Sequence, residues 1–375
     1  MAAAAYTPGL KIVGKTLVEK DRRLPMRGNV HVKVGDRVTA ETVVASTDLP
    51  GNVYPVNLAN IMGCEPKEIK LFLKKAEGDK VGRDDIIAET PGFFGFFKTQ
   101  VKSPITGTIE SLSDVTGQAI LREPPIPVEV NAYVDGVVDE IYEDEGVRVN
   151  TVATFIQGIF GIGPEVIGEL VMVAKSPSDI LDKNNIAIEH KNKIIVGGSL
   201  VTADALKRAV EVGVKGVVVG GYDAHDLKEF LGYDLGVAIT GTEDKGITLV
   251  VTEGFGQINM AQKTFDLLKN CIGKKTSING ATQIRAGVIR PEVVIPIEGG
   301  KIEESDKAAG GGMSPGSLVR IIRQPHFGEV AKVVELPEQP TKIPTEARVR
   351  VVTIETLSGK ERMTLPRANV EIIEE

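Results

Sequence analysis

The sequence predicts a multidomain chain of β and α/β type, and three observations predict it. Over residues 1–150, short β-branched runs are separated by turns rich in glycine and proline, as in an all-β region. Over 193–297, strand patterns alternate with helical ones, which indicates an α/β domain with a mostly parallel sheet. After a glycine-rich linker at 298–314, β patterns return over 315–375. Residues 151–192 read as a connecting segment.

Composition bounds the function classes. A chain of 375 residues can hold several cores, and 42% hydrophobic with 25% charged residues is ordinary for a globular protein. A net charge of −7 argues against a protein that coats nucleic acid. Cys64 and Cys271 are the two cysteines and form no C-x-x-C pair, so neither a disulfide framework nor a cysteine-based zinc site is expected. No secretory pattern opens the chain, and no apolar run approaches the ~18–20 residues of a membrane helix. A cytoplasmic location without a membrane partner is the expectation.

Taken in order, the β-rich region repeats itself. Residues 30–45 and 73–89 each place a Gly-Asp-basic-Val turn (Gly35 to Val38, Gly78 to Val81) before a strand ending Val-Val-Ala or Ile-Ile-Ala. A second type of piece, with Val-x-Gly or Ile-x-Gly before a strand, appears at 101–110 and 130–139. Such self-similarity suggests half-motifs that pair to close small sandwiches. The 126–149 stretch reads as strand, turn at Asp135-Gly136, strand, turn at Glu145-Gly146, strand.

The motifs Val-Lys-Val-Gly-Asp-Arg-Val at 32–38 and Ser-Pro-Ile-Thr-Gly-Thr-Ile at 103–109 resemble the two halves of a biotinyl/lipoyl attachment domain, a barrel-sandwich hybrid. Similar non-acylated folds occur in sodium-pumping quinone reductases and in the largest subunit of bacterial RNA polymerase. The resemblance implies a carrier lysine eight or nine residues before the proline that opens the returning strand. Counting back from Pro104 reaches Phe96 and Gly95, with Lys98 out of register; the other copy gives Ile126 or Pro125. No lipoyl or biotinyl lysine stands in register, and no cofactor is expected. The aromatic cluster Phe93, Phe94, Phe96 and Phe97 is either a tip tucked onto a neighbouring domain or an exposed partner-docking tip.

The connecting segment carries Gly158, Gly161 and Gly163 without a Gly-Lys-Ser/Thr ending, so a buried connection that needs small residues is the reading. Within the α/β domain, Thr202 and Asp223 have the chemistry of helix N-caps and Gly213 that of a C-terminal stop. Met260, Phe265, Leu268 and Cys271 mark the apolar side of a further helix. Three strands end in glycine loops: Gly197-Gly198, Gly220-Gly221, and Gly254 with Gly256. Ligands collect at the carboxyl ends of parallel strands, so these glycines with Asp223 and His225 are candidate ligand-binding residues for a small anion. The alternative is that glycine simply permits tight turns. Asp223, His225 and Asp226 also form a candidate acid/base cluster. The four histidines are scattered, and no metal site is expected.

The pattern from Gly316 to Leu336, with Val-Arg-Ile at 319–321 and Pro325-His-Phe-Gly, resembles the KOW-type SH3-like barrels of elongation factors and ribosomal proteins. Ala331 stands where that family has a glycine. The resemblance implies a partner-binding barrel, with Arg320, Arg323 and Phe327 as its partner-facing residues. From residue 315, nine Lys/Arg balance nine Asp/Glu, which gives phosphate contact little advantage.

The function these readings imply is a non-enzymatic scaffold or adaptor that binds protein partners through its β modules, with the α/β domain sensing a small anion. One alternative is an RNA-associated transcription or translation factor acting through the KOW-like barrel. Another is an enzyme or accessory subunit with its site at the glycine-rich strand ends.

Overall fold

The computed structural model describes residues 10–91, 98–233, 245–282, 289–299, 313, 315–323, 326, 329–337, 341–342, 348–357 and 359–374. It is mostly β, with one large mixed sheet and several small sheets. The backbone of the large sheet is a pair of long antiparallel strands, Leu10–Arg23 and Gly146–Gln157, paired from Ile12 opposite Ile156 to Arg23 opposite Gly146 with one register shift between Val13 and Thr16. The second of these runs through residue 150 without a break. Its other edge takes Gly136–Tyr142 near its start and Glu292–Pro296 near its end.

From Glu292–Pro296 the sheet continues antiparallel through Lys275–Asn279 to Val166–Met172. Four strands then run parallel: Val166–Met172, Lys193–Val196, Gly216–Tyr222 and Thr248–Phe255. Phe160–Ile162 closes the row antiparallel to the last. The sheet is therefore mixed rather than mostly parallel, and it draws strands from the segment before Lys193. Hydrophobic pattern gives a strand's burial but not its direction, which is why the antiparallel flanks escape a reading of the sequence.

Both faces of the parallel part are covered. Ile195, Val217, Val219, Leu249 and Val251 pack with Leu206, Ala209 and Leu227 of the helices Ala203–Val212 and Ala224–Leu231. The alternating residues Ile194, Val196, Val218 and Val250 pack with Phe265 and Leu268 of the helix Gln262–Lys269. Strands buried on both sides read as near-continuous Val/Ile runs, as these do. The expected caps hold. Thr202 accepts from the Ala205 amide, Asp223 from those of His225 and Asp226, and Gly213 ends its helix at φ 83°. Gly158, Gly161 and Gly163 all lie against backbone; a Cβ on Gly158 would meet the Val251 carbonyl oxygen at 2.6 Å.

The repeated half-motifs form two matching assemblies, one nested inside the other along the chain, and the outer one shares Arg37–Val38 and Gly136–Tyr142 with the large sheet. Lys33 donates its amide to Asp36 Oδ2 (2.8 Å) as Ala76 does to Asp79 Oδ2 (2.7 Å). Gly35 bonds the Val138 carbonyl as Gly78 bonds that of Ile109, both at 2.8 Å, and both glycines sit near φ 90°. His31 reaches Val44 as Lys74 reaches Ile87, both at 2.9 Å. The outer copy is built from residues on either side of the inner one. Its strands Val43–Leu49 and Ile126–Asn131 pair with each other, and the chain between them folds into the inner copy. That inner lobe has its own core, including Leu58, Ile69, Ile87, Ile109 and Leu121. Its two connections cross closely: Glu123 donates to the Asn52 carbonyl at 3.0 Å, and a Cβ on Gly51 would lie 2.1 Å from the Glu123 oxygen.

The expected Asp135-Gly136 hairpin does not form. Ile126–Asn131 lies in a small sheet with Val43–Leu49, whereas Gly136–Tyr142 joins the large sheet. Between them Ala132, Tyr133 and Val134 are buried, and Tyr133 takes φ 70°. Asp135 turns its carboxylate to the Ala40 amide and the Lys275 ammonium, each at 2.7 Å. The turn at 142–146 forms as expected, with the Glu145 amide bonded to the Tyr142 carbonyl.

The C-terminal region is an antiparallel sheet ordered Arg362–Pro366, Val351–Thr356, Val330–Glu335, Leu318–Ile321, Val370–Glu374. Among the described residues no pairing closes it into a barrel; its last strand instead runs parallel to Leu10 and Lys11. The linker at 298–314 lies outside the described residues apart from 298, 299 and 313. No described helix is long and apolar enough to cross a membrane.

Candidate functional site at the strand ends

The fold brings the glycine loops of the three parallel strands together. Gly220 donates its amide to the Gly198 carbonyl at 2.8 Å, Gly221 pairs with Gly254, and Gly256 donates to the Tyr222 carbonyl at 2.7 Å. What lies over them is the chain itself. Ser199 donates to Asp179, Ile258 to Ser199, and Met260 to Pro177. A Cβ would lie 2.4 Å from the Asp179 oxygen at Gly198, 2.5 Å from the Ile258 oxygen at Gly220, and 2.1 Å from the Gly256 oxygen at Gly221. Gly197 is less crowded, meeting the Leu181 side chain at 3.1 Å. Glycine here lets backbone approach backbone. Gly256, at φ 94°, has nothing within 4 Å of where a Cβ would stand.

The helix N-termini at this end are filled by the protein's own oxygens. Thr202 Oγ1 takes the Ala205 amide at 3.2 Å, and Asp223 Oδ1 takes that of His225 at 2.8 Å. Glu253 Oε1 takes the Ala261 amide, at the start of Gln262–Lys269, at 2.9 Å. Two of these three oxygens belong to carboxylates. They take amides that an incoming anion would otherwise use, and Asp223 adds an exposed negative charge there.

His225 and Asp223 are exposed beside the strand ends. His225, Asp226 and Glu229 place ligand-type atoms within 4.8 Å of one another, a grouping that follows from i, i+1, i+4 spacing on one helix. Glu229 is also bonded to Lys207, which holds its carboxyl below the usual range. A surface cleft of about 380 Å³ lies nearby between Lys183 and the Ala203–Val212 helix. Several of its charges are paired, Lys183 with Asp204 and Arg208 with Glu211. Under the strand ends, Phe160, Tyr222 and Phe255 form an aromatic cluster with centroids 4.9–5.9 Å apart. Burial pushes the Tyr222 phenol up from its ordinary value.

The buried ionic groups were not legible as a site. Arg320, expected to face partners, is buried with its guanidinium 2.6 Å from Glu253, and the two side chains are 4% and 5% exposed. Arg290, partly buried, binds the buried Glu371. A glutamate inside Leu-Val-Val-Thr-Glu-Gly-Phe was the one local signal, since a charge on a buried strand requires a partner. Arg323 is exposed. Phe327 and the cluster Phe93, Phe94, Phe96 and Phe97 lie outside the described residues. Lys98 is exposed and bonds Glu89 at 3.2 Å. Elsewhere, His31 Nε2 lies 2.7 Å from Ser46 Oγ. No described hydrogen bond gives that pair the carboxylate that would orient the imidazole as a base.

These arrangements fix backbone and pair charges; among the described residues none aligns a nucleophile, a base and an oxyanion hole. Neither a protein-family model nor a curated protein matches the sequence, so no relative assigns a role to these residues.

Proposed function

We propose that this chain is a non-enzymatic scaffold or adaptor that binds protein partners through its β modules. The observation that carries the reading is the self-filled strand end. Backbone of residues 176–179 and 256–260 lies over the glycine loops, and Asp223 and Glu253 occupy two of the helix N-termini. This weighs against a small-anion site and against an enzyme centred there. The two nested assemblies are read as barrel-sandwich hybrids of the biotinyl/lipoyl type without acylation, and the C-terminal sheet as an SH3-like module of the KOW type. In the outer copy, the whole inner lobe stands where a carrier would present its lysine tip. The burial of Arg320 weighs against an RNA-binding face built on it.

Two measurements test the reading together. Thermal unfolding with inorganic phosphate and common nucleotides should show no saturable rise in Tm, because a ligand specific to the folded state stabilises it by mass action. A saturable rise abolished by Gly256→Val would sink the scaffold reading in favour of a ligand site. Purification from native cells, with and without RNase, should yield a stoichiometric protein partner indifferent to the nuclease. Partners lost on RNase treatment would move the assignment to an RNA-associated factor. Intact mass should equal that of the unmodified chain.

A further inference from the structure

The strand Thr248–Phe255 carries Glu253 near its carboxyl end, and the C-terminal sheet sets Arg320 against it at 2.6 Å. A second pair, Arg290 with Glu371, lies alongside, because Arg320 and Glu371 face each other across adjacent strands. The four groups thus form one cluster, in which both arginine charges bear on Glu371.

This cluster is incompletely satisfied. Arg320 Nη1 and Arg290 Nε are buried and have no hydrogen-bond partner among the described residues. Burial also pushes the Glu371 carboxyl up, against the pull of both arginines. Desolvating ions costs about as much as their attraction returns, so such a joint adds little net stability, yet removing one partner is severe. On either side of it lies a separate apolar core. The C-terminal one is built on Val319, Ile321, Val333, Val352, Ile354 and Ile372. The described strand pairing that also links this sheet to the rest is short, Leu10 with Ile373 and Lys11 with Glu374.

We infer that the cluster is an ionic latch: it holds the C-terminal sheet against the central sheet, and its opening releases that sheet as a unit while the central sheet stays folded. A partner that recognises Arg320 has to open the latch first. The inference does not depend on the scaffold reading, since it concerns the joint and not the occupant.

Hydrogen exchange of the full chain, read by mass spectrometry, tests it. Amides of Leu318–Ile321, Val330–Glu335 and Val370–Glu374 should exchange together, and faster than those of Gly216–Tyr222 and Thr248–Phe255. Glu253→Gln keeps an acceptor for the Ala261 amide but removes the charge. It should speed exchange of the C-terminal strands on the order of 100-fold, the scale of an orphaned buried charge, and leave Gly216–Tyr222 unchanged. The double variant Glu253→Gln/Arg320→Met removes both charges and should restore most of the protection. Equal protection of both sheets in the parent would overturn the latch. So would equal acceleration of both in Glu253→Gln, or a double variant as open as the single one.

Discussion

At Gly221 a methyl group would lie 2.1 Å from the Gly256 carbonyl oxygen, and at Gly198 2.4 Å from that of Asp179. Both neighbours are backbone, which cannot swing away as a side-chain end can. Gly198→Ala and Gly221→Ala should each lose on the order of 1–3 kcal/mol in urea unfolding, the usual cost of overpacking. Loops kept open for a ligand would instead tolerate the methyl group at parental stability. Glu371 gives a pH signature. Burial raises its carboxyl above the ordinary 4.5, so the folded chain holds that proton more tightly than the unfolded one. Its contribution to stability is full below about 4.5 and is lost as pH rises through the raised value. The difference in stability, Glu371→Gln minus parent, should therefore grow as pH climbs through that window. A flat difference would mean that the carboxyl is not desolvated.

Among the elements, the nested copies make the strongest demand. Asp36 and Asp79 close the same turn with the same bond, onto the Lys33 and the Ala76 amide respectively. Asp36→Ala and Asp79→Ala should each cost about 1 kcal/mol, the net worth of one such bond. Their effects should add, because each turn belongs to a different core and shares no partner with the other. Strong coupling between the two in a double-mutant cycle would mean that the copies unfold as one body. The helix elements behave as their caps dictate: Thr202 and Asp223 start helices and Gly213 ends one, each at the residue the sequence indicates.

For the molecule as a whole, the inner lobe is joined to the rest through the crossing near Gly51 and Glu123. It carries exposed apolar side chains, Ile61, Leu71 and Val115, the last two about four-fifths accessible. Replacing residues 50–125 by a two-residue Asn-Gly turn between Val43–Leu49 and Ile126–Asn131 should leave a chain that still unfolds cooperatively, because the pairing of those strands, Leu49 opposite Ile126, persists without the lobe. Loss of cooperative unfolding in that variant would show that the lobe is part of the common core. If the lobe is the docking head of a scaffold, the same variant should keep its fold and lose its partner in a pull-down.

Much of this was legible because it is local. The Gly-Asp-basic-Val turns, the caps at Thr202 and Asp223, and the buried alternation of Ile194 with Ile195 are written in neighbouring residues, whose chemistry acts over a few bonds. Even the inner repeat was visible, since matching turns need matching residues. By itself the sequence determined several of the strands, where several turns and helices stop, and that two half-motifs recur. Tertiary structure decided the rest: that Asp135-Gly136 crosses between sheets, that antiparallel strands flank the parallel four, that one copy nests in the other, and that Arg320 is buried. The physical reason is range. Strand direction, sheet partner and ion partner are chosen by groups such as Arg320 and Glu253, far apart in the chain, and no local pattern carries the energy of a contact made only when both arrive.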